Sequence, residues 1–129
     1  MKGTVMDPQA FLMLRKAASD RLVLNFDLPN EIFGFHAQQA FEKLFKALIA
    51  ARGVRYQHTH VFKKLLDQLN ELGEPPLPLP FAFLTLEPFA VLMRYDESGP
   101  FSEIERQTIR DAIDVLTEHV SVRFKELGS

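Results

Sequence analysis

Apolar residues recur every three to four positions along most of this chain, and no stretch shows the period-two alternation of a half-buried strand. Asp7-Pro8 opens a first helix: the aspartate accepts from a free N–H, and proline at the first helical position loses no bond. Its stripe reads Phe11, Leu14, Ala18 and Leu22, and the helix is expected to run to about Asn25. Asp27-Leu28-Pro29-Asn30 is turn chemistry, with Asn30 expected to cap a second helix over Glu31 to Arg52. There Ile32, Phe35, Phe41, Leu44, Phe45, Leu48 and Ile49 make an apolar face wide enough for a central element, and Gly53 supplies the left-handed stop.

A short loop, Val54 to His58, leads to a third helix expected over Thr59 to Leu72, with Thr59 as cap and Val61, Leu65, Leu66, Leu69 and Leu72 inward. Gly73 closes it. Four prolines between Glu74 and Pro80 exclude helix and central strand; the segment reads as an extended spacer or as a proline-rich ligand for a partner groove. A fourth helix, about Phe81 to Tyr95, should be kinked or split at Pro88. Ser102-Glu103-Ile104-Glu105 is a capping box that starts a long last helix, with Ile109, Ile113, Leu116, Val120 and Leu127 on its buried side and the second helix alongside. The pattern predicts one all-α domain over 1–129, an up-and-down bundle of four long helices with one short extra at most.

One stripe of the second helix is polar. His36, Gln39, Lys43 and Lys46 follow at intervals of three or four, with Glu42 at the edge beside Gln38 and Gln39. A solvated face with a Glu42–Lys46 ion pair is one reading. The amides and the imidazole favour the other, a buried hydrogen-bond network or a ligand surface. His60 either bonds the end of the second helix or serves a site. Arg94 and Tyr95 either anchor the following loop or, with Lys43, Lys46 and His60, line a phosphate groove.

Composition narrows this picture. With 15 basic and 17 acidic residues, a net charge of −2 gives no bulk pull toward nucleic acid, so an RNA site must be a local patch. The absence of cysteine excludes disulfides, thiolate metal sites and a cysteine nucleophile. No pair of the four histidines has metalloenzyme spacing with a carboxylate, so neither metal nor cofactor is expected. The first seven residues lack a signal-peptide core and no run of eighteen apolar residues exists, which predicts a cytoplasmic protein without a membrane partner.

Phe35-His36-Ala37-Gln38-Gln39-Ala40-Phe41-Glu42-Lys43, then Phe45-Lys46-Ala47-Leu48, Ala51-Arg52-Gly53, Thr59-His60 and Arg94-Tyr95 follow in an order that resembles the HEPN domains of higher eukaryotes and prokaryotes, from Asp7 to about Phe124. The resemblance implies a nucleotidyltransferase-substrate-binding-subunit-like bundle that commonly dimerises and is often encoded beside a nucleotidyltransferase. Many relatives of that kind are ribonucleases with an arginine, four to six residues, then a histidine near the start of the last helix. Here the last helix has Arg106, Arg110 and Arg123, but its histidine, His119, is separated from Arg110 by eight residues. Arg52 with His58, and Arg55 with His60, fit the spacing but lie after the second helix.

Three functions follow as expectations: a component of a two-component, toxin–antitoxin-like module binding nucleotide, RNA or a nucleotidyltransferase partner; a metal-independent ribonuclease toxin using an Arg/His pair; or a non-catalytic structural or regulatory homodimer. Twelve phenylalanines exceed what a small bundle readily encloses, so those of Phe81-Ala82-Phe83-Leu84 and Phe89 are expected partly to face another chain or the proline connector.

Overall fold

Four α-helices and one 3₁₀ segment make up the fold, and no strand occurs among the described residues. The structure is a computed structural model and describes residues 6–90 and 100–128. α1 spans Pro8–Val23, α2 Asn30–Ala51, α3 Phe62–Glu71 and α4 Glu103–Gly128, with the 3₁₀ segment over Phe81–Ala90. α2 is the central element and packs against α1, α3, α4 and the 3₁₀ segment, as its wide apolar face predicts.

Asp7 caps α1 by accepting from the Gln9 N–H at 2.9 Å. The buried side of α1, however, is Ala10, Met13, Ala17, Asp20 and Leu24, one position out of step with the expected stripe. Phe11, Ala18 and Leu22 are exposed and Leu14 is half-buried. Size explains the rotation: alanines at 10 and 17 let α1 approach α2 closely, which larger side chains would prevent. The rotation also carries Asp20 inward.

Asn30 is the first residue of α2 rather than its cap; its Oδ1 accepts from the Phe101 N–H at 2.7 Å and ties the start of α2 to the entry of α4. Phe33, Ala37 and Ala40 are buried where Ile32 and Phe35 were expected to be. Gly53 and Gly73 end their helices at φ 79° and 80°, a region only glycine enters cheaply. α3 starts three residues later than predicted. Thr59 to Val61 stay outside the helix, Thr59 accepts from the Val61 N–H, and Phe62, not the exposed Val61, is the first buried residue.

The predicted fourth α-helix is a 3₁₀ segment instead. Three residues per turn put Phe83, Leu86 and Phe89 on one side, and Leu86 and Phe89 are buried while Phe83 is half-buried. A helix of 3.6 residues per turn would splay these three apart, and Pro88 contributes no donor to an α ladder. The end of the expected helix, with Arg94 and Tyr95, lies outside the described residues.

Phenylalanines fill the core. Phe33, Phe41, Phe45, Phe62 and Phe89 are fully buried, each worth about 1.5–3 kcal/mol relative to exposure. Phe45 meets Phe62 edge-on at 5.5 Å, and Phe83 stacks on Phe62 at 5.6 Å. Phe89 is thus buried and Phe83 half-buried against the core, so Phe89 is not among the phenylalanines expected to face outward. The capping box of α4 forms as predicted, with Ser102 N–H to Glu105 at 3.0 Å and Glu105 N–H to Ser102 at 3.1 Å. Ile109, Ile113, Leu116, Val120 and Phe124 are its buried stripe, and Leu127 is half-buried. At about 1.5 Å per residue its 26 residues reach about 39 Å.

Candidate functional site

The polar stripe of α2 is organised around two carboxylates. Glu42, 3% exposed, accepts from Gln38 Nε2 at 2.9 Å and from Lys46 Nζ at 3.0 Å, and its Oε1 lies 2.7 Å from His60 Nδ1. Gln39 in turn donates to Gln38 at 2.6 Å. The Glu42–Lys46 ion pair expected of a solvated face does exist, but both partners are buried. A hydrogen-bonded interior network is therefore what the stripe forms at this point. Burial pushes the Glu42 carboxyl up; the bonds from Gln38, His60 and Lys46 outweigh it and hold the group below the usual carboxylate value.

Asp20, on α1, is the second centre. Its Oδ1 lies 2.8 Å from His36 Nδ1, and its Oδ2 accepts from Lys43 Nζ at 2.6 Å. Each carboxylate thus holds one imidazole and one ammonium. Asp20 was not anticipated as a site residue. Its signal was available: it sits three residues after Ala17 and seven after Met13, on the small-residue face of α1.

An ionised Glu42 accepts only, so His60 donates to it from Nδ1 and Nε2 is left as the open edge of a ring whose side chain is 61% exposed. His60 reaches Glu42 from the segment ahead of α3, outside the helix. His36 and Lys43 are less open, at 27% and 20%. The expected residues thus fall into two groups, His36 and Lys43 on Asp20, and Gln39, Lys46 and His60 around Glu42, with His60, His36 and Lys43 as the more accessible members. Lys46 also lies 5.4 Å over the Tyr56 ring.

The arginines are used differently. Arg52 donates to Glu74 at 2.8 Å and to the Leu72 carbonyl at 2.6 Å, and Arg123 grips Glu74 with two nitrogens at 2.6 and 3.1 Å. Burial raises the Glu74 carboxyl, and the bonds from Arg123 and Arg52 more than reverse this. Glu74 is a further residue not anticipated; nothing in its sequence setting, after Gly73 and before two prolines, announces an ion-pair centre. Arg106 donates to the Leu28 carbonyl at 2.7 Å and Arg110 to the Leu24 carbonyl at 2.8 Å, and both lie over the Phe33 ring. His119 has its Nε2 buried with no hydrogen-bond partner among the described residues.

Of the spaced Arg/His pairs, Arg52 is committed to Glu74 while His58 is exposed beside Tyr56, with ring centroids 5.8 Å apart. Arg55 is exposed and lines a cleft with Tyr56 and His58, whereas His60 stands against Glu42. Among the described residues no cluster of three or more histidine or acidic side chains is placed to hold a metal ion. No helix among them is long and apolar enough to cross a membrane.

No curated protein and no solved structure matches the chain significantly. A family model for the HEPN domain matches residues 14–126. That span runs from within α1 to the last turn of α4 and includes every element that builds the two carboxylate centres. A helical bundle in its described residues and matched over nearly its whole length, this chain belongs to the HEPN domain family.

Proposed function

We propose that this HEPN-domain protein is the binding component of a two-component, toxin–antitoxin-like prokaryotic module, engaging a nucleotidyltransferase partner or the nucleotide or RNA such an enzyme handles, and is not itself a ribonuclease. The observation that carries this reading is the commitment of Arg52, Arg106, Arg110 and Arg123 to carbonyls and to Glu74. A guanidinium held that way is oriented by the fold toward oxygens of its own chain, and its charge is already shared with a carbonyl or with Glu74, which supports a structural role over stabilisation of a phosphorane. His36, Lys43 and His60 instead offer a pre-oriented polar face, rigid because each side chain is anchored on a buried carboxylate. Co-expression with a nucleotidyltransferase encoded in a neighbouring gene tests the reading, together with titration by ATP and RNA. Absence of co-elution and of any binding at micromolar levels overturns it.

A second reading has one specific observation in its favour. His60 is held by Glu42 through Nδ1 with its other edge open, the arrangement of a general base, and Arg55 five positions earlier makes no side-chain bond to a described residue. A ribonuclease toxin of this kind would inhibit growth on expression, and His60→Ala would relieve the inhibition. Harmless wild-type expression with intact cellular RNA excludes it.

The protein is further proposed to be a twofold homodimer burying more than about 1,000 Å² in total. The support is apolar surface left on α4 and α1, where Ile104, Val115, Val122, Phe11 and Leu22 are exposed. Sedimentation at micromolar concentration should give twice the chain mass; a monomer refutes it.

A further inference from the structure

The connector between α3 and the 3₁₀ segment belongs to neither carboxylate centre, yet its backbone is the most constrained in the chain. Every residue from 74 to 80 is either a proline or stands immediately before one. A proline ring fixes φ near −65°, and the residue before it is driven to extended backbone. Polyproline II is the conformation left to such a stretch, and the chain there is neither helix nor strand. At three residues per turn, Pro75 and Pro78 fall on one edge and Leu77 and Pro80 on another. Burial follows this division. Pro75, Pro76 and Pro78 are exposed, whereas Leu77, Leu79 and Pro80 are half-buried, the two leucines against the core.

Both ends of this ridge are fixed. Before it, the Glu74 carboxylate is gripped by Arg52 and Arg123, and the Glu74 N–H donates to the Leu69 carbonyl at 3.1 Å. After it, the Pro80 carbonyl accepts from the Phe83 N–H at 3.2 Å, and the 3₁₀ segment buries Leu86 and Phe89. The carbonyls of residues 75–79 accept no bond from a described residue. Proline rings have no rotamer freedom to lose on binding, and a backbone anchored at both ends has little more to lose. Alongside, Leu66, Leu69, Leu77 and Leu79 line a depression of about 240 Å³ between α3 and the connector, bordered by the exposed Asn70. That is below the roughly 300–1,000 Å³ of small-molecule sites and suits one inserted side chain rather than a free ligand.

We infer that Pro75, Pro76 and Pro78 form a docking ridge for a partner protein domain whose groove is lined by aromatic rings, the kind that reads polyproline II segments. Aromatic faces pack against the exposed proline rings, one side chain at the edge of the groove enters the depression beside α3, and a tyrosine or tryptophan donor bonds a connector carbonyl. Anchoring by Glu74 and the 3₁₀ segment distinguishes this ridge from a flexible proline-rich linker, which must become ordered as it binds.

Titration of isotope-labelled SH3 and WW domains, both readers of polyproline II, with the full chain and with a synthetic peptide of residues 74–80 tests it. At least one domain should show shifts confined to its aromatic groove, with a dissociation constant of about 1 mM or tighter for the full chain and about fivefold or more weaker for the peptide. Excess peptide should displace the full chain from that groove. Pro75→Ala and Pro78→Ala should each weaken binding by about fivefold or more, and Pro8→Ala, at an exposed proline outside the ridge, by less than about twofold. All three substitutions alter exposed rings, and an unchanged melting temperature verifies folding. A peptide that binds while the full chain does not shows the ridge to be covered and overturns the proposal. Binding indifferent to Pro75 and Pro78, or silence of both domains up to about 1 mM, overturns it as well. Loss of a chain dimer in Pro75→Ala and Pro78→Ala assigns the ridge to a second copy and refutes the partner domain.

Discussion

Glu42 on α2 and His60 just ahead of α3 meet at 2.7 Å, and the same Glu42 oxygen accepts from Gln38, one turn back along α2. One nearly inaccessible carboxylate therefore sets both the path of the chain into α3 and the orientation of the exposed imidazole. Removing it leaves Gln38, Lys46 and His60 without their acceptor. Glu42→Ala should lower stability by about 3–5 kcal/mol, the cost of stranding one member of a buried pair. Urea unfolding measures this; a loss below about 1 kcal/mol would show that water replaces the carboxylate.

Acid should unfold this protein through Glu42 and Glu74. Both carboxyls are held below their usual value in the folded chain, so the unfolded chain binds protons more readily. Their contribution is complete above the unfolded carboxyl value, about 4.3, and is lost as pH falls through the lower folded values. The urea midpoint should thus fall with decreasing pH below about 4, and Glu42→Gln and Glu74→Gln should each flatten that slope. An unchanged slope in both variants disproves the assignment.

Gly34 lies against the Phe89 ring so closely that a Cβ would overlap it. Alanine in a helix interior is otherwise better than glycine by about 1 kcal/mol, while overpacking costs about 1–3 kcal/mol. The clash should win, making Gly34→Ala destabilising in thermal melts. In a Phe89→Leu background the same change should cost less. Independent, additive effects would mean the 3₁₀ segment shifts freely.

His119 carries a buried nitrogen without a partner among the described residues. Leaving such a group unsatisfied costs about 1–3 kcal/mol, so His119→Leu should be neutral or raise the melting temperature. The same variant should leave partner and nucleotide binding unchanged, since His119 belongs to neither polar centre. A marked drop in melting temperature would reveal a bond that Nε2 makes elsewhere.

Local signals carried most of the fold. Asp7-Pro8, the Ser102–Glu105 box and the glycines at 53 and 73 each act on neighbouring backbone groups, so their effect is written in adjacent residues and the helix ends follow. The stripe on α2 was likewise legible as polar residues at helical spacing. Whether it faced water or the interior depended on elements far along the chain, namely Asp20 of α1 and the segment ahead of α3.

The sequence by itself determined a helical bundle, the starts of α1 and α4, the glycine stops after α2 and α3 and the set of polar residues on α2, because capping and periodicity are short-range. Tertiary packing alone decided the rotation of α1, the 3₁₀ winding of Phe81–Ala90 and the roles of the arginines. Each of those is a competition between alternatives of similar local energy. A one-position rotation exchanges Phe11 for Ala10, a 3₁₀ turn exchanges one hydrogen-bond pattern for another, and a guanidinium can donate to a phosphate, a carboxylate or a carbonyl. Burial against α2 and the reach of Arg52, Arg106, Arg110 and Arg123 to their acceptors settle these choices, and neither is encoded within a helical turn of the residue concerned.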